Sequence, residues 1–485
     1  MADELAGFDA LGQAELLRRK QVSPLELVDA AITRIERLDA KLNAVILPAF
    51  ERAREEARRL EGQTPSAERP FLGVPFLMKD LGGAEAGAPY HAGMRLLKEA
   101  DYRESRDSHL VTKLRHAGFV SLGRTNTPEL GLLPTSEPEA YGPTRNPWNL
   151  EHSSGGSSGG SSAAVSAGMV AAAHASDGGG SIRIPASHCG LVGLKPSRGR
   201  CSFGPLLGER WGGFSCELVL TRSVRDTAAI LGAVAGAMPG DPYSAPPPVR
   251  PFAEEVRVDP GPLRVGVLAG PPREGVEVHP ACAEGARLVG RALEDLGHAV
   301  EESHPGTFSD TEAVRSYVTV VACNTARALE VAGERVGRLT EAKDVEALTW
   351  ALAQSGWQTS AAQYLATLES VHLLGRRTAQ WWEQGFDLLV TPTAAEPPPP
   401  LGEMRSTAEE PVRGFLRAAP FGAFTSLFNQ TGQPALSLPL HQTEEGLPIG
   451  VQLVAAMGRE DLLLRMAAQL EARLPWSGRR PPLFA

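Results

Sequence analysis

Lysine is scarce in this chain. Of its 48 basic residues only seven are lysines (Lys20, Lys41, Lys79, Lys98, Lys113, Lys195 and Lys343), and the rest are arginines. Cysteine is scarce too. Cys189, Cys201, Cys216, Cys282 and Cys323 form an odd, scattered set without C-x-x-C spacing, which argues against a disulfide framework and a structural zinc. No window approaches roughly eighteen uninterrupted apolar residues, so no membrane-spanning helix is expected. No basic run is long enough to suggest a nucleic-acid face. A net charge of −9 argues against broad binding to nucleic acid or anionic membrane. The opening residues carry no basic segment ahead of an apolar one, so they do not read as a secretory signal. A soluble, cytoplasmic protein is the expectation.

What is present is an ordinary globular composition, 42% apolar and 22% charged over 485 residues, enough for a large core. "SPLELVDAAITRIERLDAKLNAV" predicts a helix with Ser23 as N-cap and Pro24 at its first position. "FERAREEARRLEG" reads as an exposed helix ended by Gly62. "GVPFLMKD" reads as a buried strand ending in Lys79-Asp80, and "HLVTKLRHAGFVSLGRTN" as helix then strand, joined at Gly118. Further strands are expected at "LRVGVLAG", "FDLLVTPT" and "GVQLVAAM", with helices at "PACAEGARLVGRALEDLGH" and "REDLLLRMAAQLEA". Residues 309–385 read as mainly helical. Alternating strands and helices predict an α/β fold around a largely buried sheet.

The run "EHSSGGSSGGSSAAV", Glu151 to Val165, resembles an engineered linker. A flexible linker is flanked by polar residues, yet this one leads into the apolar segment Ala163 to Ala173. A second glycine-rich knot, "SDGGGSIRIP", follows at Ser176 to Pro185. Two such turns around one buried helix point to backbone that wraps something bound or reacting. Gly155-Gly156-Ser157-Ser158-Gly159 matches G-x-S-x-G, but "RNPWNLEHSS" before it shows no strand pattern, so a hydrolase nucleophile elbow is rejected. There is no S-x-x-K, H-E-x-x-H or G-x-x-x-x-G-K-[ST]. His174 and His188 lie near the two turns and read as structural.

Without a histidine, a serine needs another base. Lys79 ends an apolar run, and burial would lower its pKa, a shift no arginine could use. The plainer alternatives, a lysine that snorkels to solvent or pairs with Asp80, stay open on composition. Gly178, Gly179, Gly180 and Ser181 offer consecutive N–H groups suited to an oxyanion, with Ser181 placed to attack a carbonyl. Asp177 and Arg183 flank that turn as partners that fix its shape.

Residues 155–186, "GGSSGGSSAAVSAGMVAAAHASDGGGSIRIPA", resemble the signature of the amidase signature family along their whole length. "GVPFLMKD", "GRTNTPELG", "TRNPWN", "CGLVGLKPSRGR", "FNQTGQPALSLPL" and "LPIGVQLVA" extend the resemblance over nearly the whole chain. It implies one large domain, 1–485, with a central mixed, mostly buried sheet flanked by helices. Within it fall N-terminal helices (1–62), a catalytic core (68–230), a mostly helical substrate-side segment (262–390) and C-terminal strands and helix (391–485). The family's Ser-cisSer-Lys triad falls on Ser181, Ser157 and Lys79, the two serines 24 residues apart, with Ser157 following a cis peptide bond. Ser158 is expected to help hold the loop. Ser176 and Gly178 depart from the family's usual threonine and larger residue.

The resemblance implies an amide hydrolase that needs neither metal nor organic cofactor. "EPEAYGPTRNPWN" and "GREDLLLRMAAQLEARLPW" are most similar to the bacterial branch that hydrolyses 6-aminohexanoate cyclic dimer, with relatives acting on aryl amides and carbamates. "SRGRCSFGPLLGERWGGFSCELVLTRS" lacks the markers of the amidotransferase A subunit. The pocket is expected under residues 310–400 and near Leu132 to Ser136. Leu132 and Leu133 would give it an apolar wall, favouring uncharged or aromatic amides, and Cys323 is a further candidate for substrate contact. The expected partner is a small-molecule amide or carbamate, with no nucleic acid and no membrane. A homodimer is compatible with the sequence, which leaves the oligomeric state open. A non-catalytic scaffold or subunit is the alternative of another class.

Overall fold

The structure, a computed structural model, describes residues 2–485. Its strands, in chain order, are β1 (Val45–Pro48), β2 (Pro75–Lys79), β3 (Val120–Thr125), β4 (Arg145–Asn146), β5 (Asn149–Ser153), β6 (Ala172–Asp177), β7 (Val192–Lys195), β8 (Cys216–Thr221), β9 (Arg264–Val267), β10 (Ala299–Glu302), β11 (Leu388–Pro392), β12 (Ala435–Gln442) and β13 (Pro448–Ala455). Eleven of them form one mixed sheet, in the order β1-β3-β2-β6-β8-β7-β12-β13-β11-β9-β10, and β4 and β5 form a separate hairpin. The flanks are parallel (β3-β2-β6 and β11-β9-β10), while the strands from β6 through β8, β7, β12 and β13 to β11 are antiparallel.

Why these segments become central strands is visible in their composition. β2 ("PFLMK"), β6 ("AAHASD"), β8 ("CELVLT") and β13 ("PIGVQLVA") are buried at every position, as expected of strands covered by helices on both faces. β10 ("AVEE") is largely exposed and carries charge at the sheet edge. Because the sheet draws strands from residues 45 to 455, the chain is a single α/β domain. The N-terminal segment expected to be helical also contributes the edge strand β1.

Local signals stop and start the helices. Ser23 caps the Pro24–Leu42 helix in a capping box with Glu26, and Asn43 ends it in the left-handed conformation. Gly118, at a φ of 101°, ends the His109–Ala117 helix and turns the chain into β3. The mostly helical stretch resolves into helices Thr311–Val336, Ala347–Gln358 and Ala361–Glu383. Among the described residues no helix is long and apolar enough to cross a membrane.

The glycine–serine run is not a linker. Every residue from 153 to 177 is buried, and residues Gly159–Ser166 form a helix. Its hydroxyls satisfy backbone carbonyls that would otherwise be stranded: Ser161 donates to His174 O (2.7 Å), Ser162 to Ser154 O (2.9 Å) and Ser166 to Cys189 O (2.7 Å). The sequence reading missed β5, which directly precedes the turn. β5 belongs to the small hairpin, not the central sheet, so the geometry of a nucleophile elbow is still absent.

Replacing Ser23 with alanine removes the side-chain half of the capping box, the Oγ that accepts from Glu26 N, and keeps the residue-23 N–H that donates to the Glu26 carboxylate. The expected loss is about 1 kcal/mol of stability, read as a lower urea midpoint with unchanged activity.

Candidate active site

Strands β2 and β6 are parallel neighbours, paired Phe76 to Ala172 and Leu77 to Ala173. Their C-terminal ends therefore emerge side by side, where α/β sheets commonly place ligands. Lys79 closes β2 and is fully buried. Its Nζ donates to Ser157 Oγ (2.7 Å) and to Ser176 Oγ (3.0 Å). Asp80 faces the other way, accepting from the N–H groups of His91 (2.9 Å) and Gly93 (3.4 Å). Both plainer readings of the lysine are thus removed, since it neither reaches solvent nor pairs with Asp80.

Burial pushes the Lys79 pKa down to about 7, and the positive charge of Arg210 adds to the shift, against opposing pulls from Asp177 and Glu217. At neutral pH a large share of this amine is uncharged. His174 is also held far below its usual pKa by burial and the nearby cations, and neither ring nitrogen has a hydrogen-bond partner among the described residues. His188 packs edge-on against Phe421, with burial lowering it to about 3. Both histidines are neutral core residues.

The peptide bond between Gly156 and Ser157 is cis. Ser136, which the sequence reading did not single out, ties this turn together: its Oγ donates to Gly155 O (3.2 Å) and accepts from Gly159 N (3.0 Å). Ser158 Oγ donates to Ser181 O (2.6 Å), joining the first turn to the second. Ser181 Oγ has no hydrogen-bond partner among the described residues and lines the same cavity as Ser157.

Asp177 organises the second turn. Its carboxylate accepts from Gly180 N (2.8 Å), Ile182 N (3.1 Å) and Asn429 Nδ2 (2.8 Å), and pairs with Arg183 at 2.9 Å in a fully buried salt bridge. Burial alone would raise its pKa, but the Arg183 guanidinium outweighs this and holds it well below the carboxylate range. Gly180 therefore differs from expectation, because its N–H is committed to Asp177. The N–H groups of Gly178, Gly179 and Ser181 have no acceptor among the described residues.

The three glycines are held in place by their neighbours. A Cβ on Gly178 would lie 2.8 Å from the Trp211 ring, and one on Gly179 would lie 2.1 Å from Tyr317 Oη. Thr425 Oγ1 donates to Gly179 O (2.6 Å). Trp211 and Leu130, both lining the cavity, adopt left-handed backbone (φ 56° and 52°), the kind of strain that persists at functional sites.

The cavity in front of Ser181 has a volume of about 170 Å³. Leu132 and Leu133 line it, joined by Leu130, Trp211, Phe308, Tyr317 and Phe415. Cys323 does not line it: this cysteine lies further along the Thr311–Val336 helix, with Gly356 O 3.9 Å from its Sγ. Most of the stretch expected to roof the pocket is also elsewhere, and residues 307–318 and 415–430 take that place. Sequence reasoning missed Arg210, Trp211 and Tyr317, and it noted Ser176 only as a departure from the family pattern, not as a partner of Lys79. The paired glycines of "ERWGGF" were the one available signal, a turn that could bring Arg210 and Trp211 back over the site.

A buried lysine, a cis-linked serine and a free serine beside an N–H nest thus lie together at the strand ends of a mixed sheet. Residues 26–464 match the Amidase family, and the chain belongs to it. It is 44% identical over 483 residues to a 6-aminohexanoate-cyclic-dimer hydrolase of Pseudomonas sp. (strain NK87), covering 98% of this chain and 97% of that one. A solved structure of 6-aminohexanoate cyclic dimer hydrolase complexed with substrate superposes with a TM-score of 0.95 at 43% identity, covering 99% of this chain and all of that one. A bacterial aryl acylamidase of the amidase signature family superposes with a TM-score of 0.86 at 29% identity, covering 97% and 99%. The protein is a hydrolase of carbon–nitrogen amide bonds.

The lowered lysine pKa sets a pH dependence. With Lys79 as the base, kcat/KM is expected to rise with pH through a limb near 7, since only the neutral amine accepts a proton. Arg210 lowers that pKa, so Arg210→Met is expected to move the limb upward. A limb that stays in place would remove Arg210 from this role.

Proposed function

We propose that the protein hydrolyses small amides through an acyl-enzyme on Ser181, with Ser157 and Lys79 as a proton relay. The observation that carries the reading is the 2.7 Å contact between the buried Lys79 amine and Ser157 Oγ, with Ser181 free in the same cavity. Neutral Lys79 takes the proton of Ser157 as Ser157 takes that of Ser181, and Ser181 Oγ bonds to the amide carbon. The N–H groups of Gly178, Gly179 and Ser181 hold the oxyanion. As the C–N bond breaks, Ser157 delivers a proton to the leaving nitrogen and is reprotonated by Lys79. Water then enters, loses a proton to the same relay and releases the acid.

Leu130, Leu132, Leu133 and Trp211 favour aliphatic or aromatic groups around the scissile bond. A cyclic nylon-type dimer is a second reading, favoured by the 44% identity with a relative of that activity across nearly the whole chain. Carbamates fit the same acyl chemistry. All three groups of the relay come from one chain, so catalysis does not require a homodimer.

The test compares a p-nitroanilide, a p-nitrophenyl carbamate and the cyclic dimer on four proteins. Wild type is expected to turn over at least one of them. Ser181→Ala is expected to lose at least about a thousandfold, and Ser157→Ala and Lys79→Arg about 100- to 10,000-fold each. Lys79→Arg is the informative variant, since it keeps a long N–H donor at this position but is permanently charged and cannot act as a base. Undiminished activity in Lys79→Arg would exclude the relay.

A further inference from the structure

Arginines are abundant in this chain, and those withdrawn from solvent are almost all provided for. Arg183 and Arg200 pair with buried carboxylates, Arg124, Arg198 and Arg222 donate to backbone carbonyls, and Arg417 meets Glu396 and Glu403. Among the described residues two arginines that are not freely exposed, Arg210 and Arg273, have neither a hydrogen-bond acceptor nor an ion-pair partner for the side chain. Both line the cavity in front of Ser181. Taking a guanidinium out of water without a partner is costly, so a partner from elsewhere would stabilise it.

The two are not equivalent. Arg210 stands close enough to Lys79 and to the buried Glu217 to influence both. Arg273 has no such company: burial lowers its pKa and no neighbouring carboxylate compensates. The one carboxylate in the cavity lining, Asp310, is committed elsewhere. It accepts from Arg377 Nη2 (2.6 Å) and caps the Thr311–Val336 helix through Glu312 N (2.9 Å). The cavity lining also includes Thr307, Phe308 and Leu427, and its one other cation is Arg210.

We propose that Arg273 is a carboxylate subsite of the active-site cavity, so that preferred substrates are amides whose acyl chain ends in a free carboxylate. This rests on the acyl-enzyme reading above and adds the class of acyl group. The leucines and Trp211 enclose the apolar chain beside the scissile bond, and the planar guanidinium receives the distal carboxylate through paired N–H donors. Arg273 thus sets specificity and does not take part in bond breaking.

The test uses mono-p-nitroanilides of succinic, glutaric, adipic and suberic acids, each matched to the uncharged straight-chain acyl anilide of equal length. For the best-fitting length, wild type is expected to prefer the acid by about 10- to 100-fold in kcat/KM, mainly through KM. Arg273→Met is expected to erase the preference while leaving the uncharged anilides unchanged. Arg210→Met is expected to change acid and uncharged substrates by the same factor. Binding is read separately by calorimetry in Ser181→Ala, where the acid should bind more tightly and Arg273→Met should cancel the difference. Equal affinity of acid and uncharged partner at every length, or a preference that survives Arg273→Met, would overturn the subsite. Acid-selective binding that depends on Arg273, without hydrolysis by wild type, would uphold the subsite and overturn the catalytic reading instead.

Discussion

The ion pair between Asp177 and Arg183 is the constraint on which the rest of the site depends. It is completely buried, where an ion pair persists only if its remaining donors and acceptors are also met. Here they are. Asp177 takes N–H groups from its own turn, while Arg183 reaches Thr425 O (3.0 Å), Gln452 Oε1 (2.8 Å) and Asn429 Oδ1 (2.7 Å). One guanidinium thereby joins the end of β6, the turn bearing Ser181, strand β13 and the helix Ser426–Thr431. The pair contributes little as a source of stability by itself. Its effect is geometric, since it fixes which N–H groups of the turn point inward to the carboxylate and which are left facing the cavity.

That division explains the glycines. Two serve a clamp: Trp211 lies against Gly178, and the Tyr317 hydroxyl against Gly179, at separations that leave no room for a side chain. A run of three glycines would be loose in isolation, because each has more conformations to lose than any other residue. Here it is held between two aromatic side chains and the Asp177 carboxylate. Ser176 provides a second hydrogen-bond partner for Lys79, and Gly178 makes space for the ring of Trp211.

How much of this could be read in the sequence follows from the range of the interactions. The capping box at Ser23, the left-handed stop at Gly118 and the buried strand ending in Lys79 rest on neighbours within a few residues, and each was legible. The serine–lysine constellation was read from the resemblance of residues 155–186 to the amidase signature, whereas glycine and serine crowded into apolar surroundings said only that the run is no linker. What was not legible depends on contacts between segments far apart in the chain. Nothing near Gly180 says that its N–H turns to Asp177. Nothing near Asn429 says that it meets a carboxylate 252 residues away. Cys323 was placed at the pocket by its helix, but the helix presents Tyr317 there and carries Cys323 beyond it.

The preference for arginine then acquires a meaning at the site. A guanidinium keeps its proton at any pH the protein meets, so arginines supply permanent charge and fork-shaped donors but no proton transfer. Lys79 differs in kind from these arginines: it has been taken out of water beside no carboxylate close enough to pair, and its charge has become conditional. Arg210 belongs to the same arrangement, because a fixed positive charge nearby makes the uncharged amine easier to keep. A cavity built this way has two electrostatic regimes. Near the serines the charge of Lys79 is conditional beside the fixed charge of Arg210, and toward Arg273 a second permanent positive charge is left without a partner. An amide whose reacting carbonyl is neutral and whose far end is anionic satisfies both regimes at once, whereas a cationic substrate satisfies neither.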